Sequence, residues 1–399
     1  MNKPLQTLLV GAGGYGTILA EYLLSGDLTD DLKLVGVADP YADSSRIIEQ
    51  LKAEVPIYDS MEAFYSNNRA DLTIIASPIH FHYSQCLNAL ENDSHVLCEK
   101  PLVPTLAQLD RLEKKRGSKV LAVGFQWCYS EVMVSLKKRV LAGEFGKPVS
   151  MKCYVSWPRK WSYYNRGSQW AGKIMTDNGE PVYDSVISNA TAHHIQNILF
   201  LLGPSMEESA YIQNVRAECY RANDIESFDT IALTGSIGDA NVYFSASHAT
   251  CHIIQPVTEY RFENATIWMN MTSQDHIVYI HHRDGTVETL GHGAGSSEKD
   301  KLPLTARYIK GEETTICTAR TTMPFTTLIE MLFKKCTIHN FPEEHIVRDD
   351  EMQLTYVKNL HIDLWDCFCK GALPSETGFI TFPSDIVVGS FHSADGSAL

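Results

Sequence analysis

Leu5-Gln6-Thr7-Leu8-Leu9-Val10-Gly11-Ala12-Gly13-Gly14-Tyr15-Gly16 decides the reading of this chain. A short apolar run ends in glycines spaced G-x-G-x-x-G. Helical sequence follows at once, and a second apolar strand over 34–38 ends in Asp39. Strand, glycines, helix, strand and acid in this order are what a dinucleotide site requires. Gly11 permits the tight turn, Gly13 lets the backbone approach a pyrophosphate, and Gly16 lets the helix pack close to the strand. Gly14 and Tyr15 complete the turn. The helix N-terminus then offers free N–H groups and its positive dipole end to phosphate. Asp39 is expected to accept hydrogen bonds from both adenosine ribose hydroxyls. A 2′-phosphate there would meet a like charge, so NAD is expected over NADP.

At 399 residues the chain exceeds one ordinary core, and two domains are expected. A hydrophobic content of 44% with 21% charged residues describes a soluble globular protein. The net charge of −14 argues against nucleic acid or anionic membrane as partner. No apolar stretch approaches the roughly 20 residues of a membrane span. The N-terminal apolar run reads as a strand entering the glycine turn, not as a signal peptide, so a cytoplasmic location is expected. The ten cysteines are scattered. With no C-x-x-C pair and no Cys/His cluster, they are expected to be reduced, and no metal site is expected.

Strands are expected at 7–10, 34–38, 72–76, 95–98 and 120–123, with helices at 15–25, 43–53, 59–66, 80–91 and 105–116. Apolar strands alternating with helices imply a parallel sheet covered on both faces. A helix over 129–142 ends at Gly143. From Val149 the apolar period becomes two, and strands are expected at 229–235, 240–249, 257–263, 265–270, 277–282 and 286–290. Further helices are expected at 188–202, 323–335 and 349–370. Residues 291–302 read as an exposed loop. The fold class is therefore α/β: a dinucleotide-binding Rossmann domain over 1–125, then an α+β domain over 126–399 with a large, mostly antiparallel open sheet.

Ser77-Pro78-Ile79-His80-Phe81-His82 follows the third of these strands, at the carboxyl edge where open parallel sheets bind ligands. Cys98-Glu99-Lys100-Pro101 follows the next strand at the same edge. Pro101 restrains Lys100 to extended backbone and lowers the cost of a cis peptide, either of which aims the ammonium. The glycine turn, S-P-I-H-F-H and C-E-K-P in this order resemble the Gfo/Idh/MocA family of NAD(P)-dependent oxidoreductases. Ser77 stands where that family usually has threonine, and His82 falls on its histidine. The resemblance implies cofactor contact through Gly11, Gly13, Gly14, Tyr15, Gly16, Asp39, Ser77, Pro78, His82, Glu99 and Lys100. It also implies that Lys100 is catalytic and is compatible with a cis Lys100-Pro101 bond.

In the second domain the family commonly has D-x-G-x-H-x-x-D opening a helix. The matching segment here is Asn189-Ala190-Thr191-Ala192-His193-His194-Ile195-Gln196. His193 falls on the family histidine, usually the proton-transfer residue. Asn189 and Gln196 replace the two acids. An amide cannot take a proton, so Asn189 can only orient or hydrogen-bond, and acid–base work shifts to His193 and Lys100. Spacing alone puts Asn189, His193 and Asn197 on one helix face. Asp184, upstream, is a candidate for the missing acid. The segment 157–173 holds three tryptophans, two tyrosines and four cations. Aromatic faces stack on sugar C–H surfaces while Arg and Lys bind hydroxyls or carboxylates. Tyr164, Arg166, Trp170 and Lys173 are the expected substrate contacts, with Asn189 and His193.

The expected activity is NAD-dependent hydride transfer with a secondary hydroxyl of a sugar, cyclitol or related polyol. His193 would be the acid/base, Lys100 the oxyanion stabiliser and Asn189 an orienting group. Two alternatives remain open on sequence: a glycoside-cleaving enzyme that recycles its NAD through oxidation and elimination, and an NAD-binding sensor without turnover. A homo-oligomer is expected by family analogy.

Overall fold

A computed structural model describes residues 3–167, 170–271, 276–291 and 297–393. Two compact units divide the chain: Met1–Ser130 with Ser296–Met323, and Glu131–Gly295 with Pro324–Leu399.

The first unit is built on a six-stranded parallel sheet. Its strands are β1 (Leu5–Val10), β2 (Leu32–Ala38), β3 (Ile57–Tyr58), β4 (Leu72–Ile75), β5 (His95–Cys98) and β6 (Leu121–Val123), in the order β3-β2-β1-β4-β5-β6. The order reverses at β1, and ligands of such sheets bind beyond the carboxyl ends of the strands at that point. Leu8, Leu9, Ile74, Ile75, Leu97 and Cys98 are buried almost completely. Each large aliphatic chain among them contributes about 1.5–3 kcal/mol by leaving water. That core holds the carboxyl edge rigid.

The expected division placed everything after residue 125 in the second domain. The contacts instead group 296–323 with the first unit. Part of that segment, read from its small and charged residues as an exposed loop, is the helix Ser297–Ile309. Leu302 and Lys301 on this helix are fully buried. The helix is pinned by Arg307, whose guanidinium pairs with Asp31 at 2.9 Å. Residues 292–296 of the expected loop lie outside the described residues.

The second unit carries a largely antiparallel sheet. Its strands are β7 (Pro148–Ser156), β8 (Gln213–Arg221), β9 (Thr230–Ile237), β10 (Ala240–Ser247), β11 (Ile254–Phe262), β12 (Ala265–Met271), β13 (His276–His282), β14 (Val287–Leu290) and β15 (Ile338–Asn340). They run β14-β13-β12-β11-β7-β10-β9-β8-β15, with only β7–β10 and β8–β15 parallel. A hairpin of β16 (Ile346–Asp349) and β17 (Leu354–Val357) stands apart, and β18 (Gly389–Phe391) pairs with β8. The expected helix over 349–370 is in fact this second hairpin strand followed by a helix, Leu360–Lys370. Asn359, at φ +60, breaks the chain between them. The helix Ala192–Leu201 and the helix Leu360–Lys370 both pack against β7. Tyr154, Tyr220 and Tyr243 from the sheet enter a core with Leu364, Cys367 and Phe368. No described helix is long and apolar enough to cross a membrane.

Candidate functional site

In the first unit the glycines of the turn fall into two classes. Gly11 has φ +86, and a Cβ there would lie 2.9 Å from Ser77 N. A Cβ on Gly16 would lie 2.1 Å from the carbonyl oxygen of Gly11. Both are glycines because the chain packs against itself. Gly13 differs: its φ is ordinary, and an added Cβ would meet nothing within 4 Å. No contact inside the protein demands glycine there, whereas a closely approaching pyrophosphate does. The helix Tyr15–Leu24 begins at Gly14 with no side-chain cap. Its first N–H groups therefore suit an anion. These residues fit a dinucleotide.

Asp39 Oδ2 accepts from Ala12 N at 2.7 Å and Oδ1 from Tyr41 N at 2.8 Å. The carboxylate thus braces the glycine turn, and each oxygen keeps a further lone pair for a ligand hydroxyl. Ser77 Oγ donates to Gln85 Oε1 at 2.5 Å. Pro78 opens the helix Ile79–Glu91. His82, on that helix, is buried between two carbonyls: Nδ1 lies 2.8 Å from Pro101 O and Nε2 2.9 Å from Ser77 O. Burial pushes its pKa down, against the pull of both carbonyls and of Glu99. A neutral ring donates to only one of the two. His82 therefore ties together the two edge loops that carry Ser77 and Lys100. The Lys100-Pro101 peptide is cis.

One residue at this edge is invisible to motif reading. Lys301 is fully buried, forms an ion pair with Glu99 and donates to Tyr15 Oη at 2.9 Å. Its ammonium also lies 4.5 Å from the centre of the Tyr15 ring. Burial, and next the Glu99 charge, push the Tyr15 phenol well above its ordinary pKa, so it stays protonated. Gly124 makes room for the carboxylate: a Cβ there would lie 2.6 Å from Glu99 Oε1.

In the second unit a polar network centres on Tyr163. Asn189 Nδ2 donates to Tyr163 Oη at 3.2 Å and to Asp184 Oδ1 at 3.1 Å. Asp184 Oδ2 accepts from Gly172 N at 2.6 Å. A carboxylate only accepts, so Asp184 fixes which end of the Asn189 amide is which. Asn189 lies in the turn before the helix Ala192–Leu201, not on it. The expected helical stripe is thereby corrected, and Asn197 is buried in the packed part of the helix. His194 is buried edge-on to Trp157, ring centres 5.4 Å apart, while His193 is only part-buried.

Around Tyr163 the aromatic segment gathers cations. Arg166 stacks on the Tyr163 ring at 4.0 Å and on Trp170 at 4.8 Å, and its Nε donates to Tyr163 O at 2.7 Å. Arg159 lies 5.0 Å from the same Tyr163 ring. His248 donates through Nδ1 to Trp157 O at 2.7 Å. Burial, and then the Arg159 charge, push its pKa down to about 3. Tyr164 is half-buried, and its buried hydroxyl makes no hydrogen bond within the described residues. Lys173 differs from the other expected contacts: its ammonium is held by Asp177 at 2.9 Å and Glu226 at 3.7 Å. Sequence reading counted Tyr163 and Arg159 in the aromatic segment without naming them as contacts, and it missed His248, whose approach depends on β7 and β10 lying side by side.

Residues 5–125 match the Gfo/Idh/MocA model, an oxidoreductase family with an NAD-binding Rossmann fold. The chain is 25% identical over 216 residues to D-glucoside 3-dehydrogenase of Escherichia coli, covering 49% of this chain and 59% of that protein. It is 31% identical over 208 residues to inositol 2-dehydrogenase of Rubrobacter xylanophilus, covering 50% of this chain and 53% of that one. The chain thus spans about half the length of these curated relatives. Among solved structures it resembles the WlbA dehydrogenase from Bordetella pertussis, a complex with NADH and UDP-GlcNAcA. The TM-score is 0.67 at 18% identity, covering 83% of this chain and 96% of that one. At that identity the likeness is one of fold.

Proposed function

From the match of residues 5–125 to the Gfo/Idh/MocA model of NAD-binding oxidoreductases, we propose that the protein oxidises, reversibly, a secondary hydroxyl of a sugar, cyclitol or related polyol. The observation that carries this reading is the place of Lys100. It stands two residues beyond β5, at the same carboxyl edge as the glycine turn after β1, on a loop tied to Ser77 by His82.

Gly11, Gly13, Gly14, Tyr15 and Gly16 would hold the dinucleotide phosphates, with Asp39 on the adenosine ribose. An acidic side chain at this position favours NAD over NADP, because it disfavours a 2′-phosphate. Ser77, Pro78, His82 and Glu99 shape the edge on which the rest of the cofactor lies. When bound, NAD supplies the hydride acceptor. His193 takes the proton from the substrate hydroxyl, a task suited to an imidazole near neutral pH. Lys100 hydrogen-bonds the same oxygen and stabilises its developing charge. Asn189, oriented by Asp184, donates to or accepts from the substrate without exchanging a proton. Tyr164, Arg166 and Trp170 supply the wall for the sugar. Lys173, already ion-paired, braces that segment.

The test is NADH formation by the purified full chain with a panel of sugars and inositols. At least one member yields NADH. Lys100→Ala and His193→Ala each lower kcat by about 100-fold or more, while His193→Ala still binds NAD. Absence of NADH with every member, or full activity in both variants, refutes the reading. Product release without net NADH points instead to oxidation followed by elimination.

A further inference from the structure

We propose that Arg159 and Arg166 form an oxyanion subsite, so that the substrate carries a carboxylate or phosphate in addition to the hydroxyl that reacts. This rests on the dehydrogenase reading only in calling the ligand a substrate. The binding claim stands on the second unit alone.

Neither guanidinium has a carboxylate partner among the described residues. Several other arginines do, though not all: Arg46 pairs with Glu21, Arg139 with Glu144 and Glu288, Arg307 with Asp31, and Arg348 with Glu343. In a chain of net charge −14, acids are in excess over Lys and Arg, 48 to 34. What sets Arg159 and Arg166 apart is that both lie against one tyrosine ring without a carboxylate between them. Asp184, the carboxylate joined to that tyrosine through Asn189, directs its oxygens to Gly172 N and the Asn189 amide.

Arg159 adds an orphan. Its Nε is buried and makes no hydrogen bond within the described residues. A buried donor without an acceptor is costly, and native structures keep few of them unless a ligand or water completes the set. Tyr164 beside Tyr163 repeats the pattern, with a buried hydroxyl lacking a partner. The rings of these two tyrosines lie 5.1 Å apart at right angles. Contact with the ring leaves the terminal N–H groups of both side chains as donors, and the guanidinium fork matches carboxylate and phosphate oxygens two at a time. A neutral sugar would leave both charges uncompensated on binding.

The experiment is calorimetric titration of the full chain with D-glucuronate, D-glucose 6-phosphate and D-glucose, and with the corresponding galactose series. Wild type, Arg159→Met, Arg166→Met and Arg166→Lys are compared, with far-ultraviolet circular dichroism and Tm confirming that each is folded. An anionic sugar is expected to bind at least about tenfold more tightly than its neutral parent. Which anion does so distinguishes carboxylate from phosphate. That preference weakens as salt is added. It is lost in both methionine variants. Arg166→Lys, which keeps the charge but not the fork, recovers only part of it. Equal affinity for charged and neutral sugars, no binding of any of them, or a preference that survives both methionine substitutions would overturn the proposal. An anionic sugar that binds as expected yet yields no NADH refutes the dehydrogenase reading and leaves the subsite standing.

Discussion

The ammonium of Lys301 donates to the phenolic oxygen of Tyr15 at 2.9 Å while it is ion-paired with Glu99. Three distant segments meet there: the start of the helix after the glycine turn, the E-K-P edge, and the helix Ser297–Ile309. The Lys301 side chain is 0% exposed and that of Glu99 12%. Removing one partner of such a pair strands the other charge, at about 3–5 kcal/mol. Lys301→Met is therefore expected to lower unfolding free energy by about 3 kcal/mol. Adding Glu99→Gln should restore most of that loss, because no buried charge is then left alone. Urea unfolding of wild type, single and double variants measures both. A single variant as stable as wild type would show that the pair does not hold this edge.

Gly13 and Gly16 should separate binding from folding. A side chain on Gly13 enters open space, so Gly13→Val leaves unfolding free energy within about 0.5 kcal/mol of wild type. It should nevertheless lower NAD affinity by about tenfold or more, since the added carbons stand where phosphate would approach. Gly16→Ala drives a methyl to 2.1 Å from a backbone oxygen. It is expected to destabilise the first unit by about 2 kcal/mol or more. Thermal unfolding with and without NAD distinguishes the two. If Gly13→Val kept full NAD affinity, the reading of this turn would fail.

These glycines also show what was legible in the sequence. The constraints on Gly11 and Gly16 come from atoms of the turn and of the adjacent strand end, and such local requirements leave a motif. Five strands of the first sheet, and their parallel sense, followed from alternation; their order and the two-residue β3 did not. β8 was missed because Gln213–Arg221 does not alternate cleanly. It carries a register shift next to Asn214, a residue with positive φ, and sheet pairing overrides its polar composition. The helix Ser297–Ile309 was missed because its helical pattern is broken by Pro303 and preceded by glycine-rich sequence. In the site, Lys100, His82 and Asn189 were reachable by motif. Lys301 and His248 were not, since each matters through a partner far along the chain. The Trp157–His248 hydrogen bond, for example, joins residues 91 positions apart.

Asp184 and Asn189 should tolerate exchange but not duplication of charge. Asn189→Asp sets a second carboxylate about 3 Å from Asp184 Oδ1, where both cannot ionise. One carboxyl pKa then rises above its unfolded value. The penalty is present at neutral pH and disappears as pH falls below that of an ordinary carboxyl, near 4. A loss of about 1–3 kcal/mol at pH 7 is expected, shrinking towards zero in acid. The double exchange Asp184→Asn with Asn189→Asp recreates the hydrogen bond in the opposite sense. The new amide oxygen at 184 still accepts from Gly172 N, so stability at pH 7 should largely return. A double variant no better than the single one would show that Asp184 acts through some other contact.

His248 gives the second unit a defined response to acid. Its pKa is pushed down to about 3 by burial and by the Arg159 charge, so the folded state holds a neutral ring. The unfolded chain binds the proton with a pKa near 6.5. A base depressed in this way contributes its full stability above the unfolded pKa and loses it as pH falls from there towards 3. Between pH 7 and pH 5 the loss amounts to about 2 kcal/mol. His248→Asn keeps an N–H for Trp157 O but has no proton to gain. Its unfolding free energy should therefore change by about 2 kcal/mol less than that of wild type over the same interval. Urea unfolding at half-unit steps of pH measures the difference in slope. Arg159→Met removes the neighbouring cation and should raise the His248 pKa, leaving a gentler slope than wild type but a steeper one than His248→Asn. Parallel curves for all three proteins would mean that His248 already takes up its proton in the folded state, and that the field of Arg159 is screened at this position.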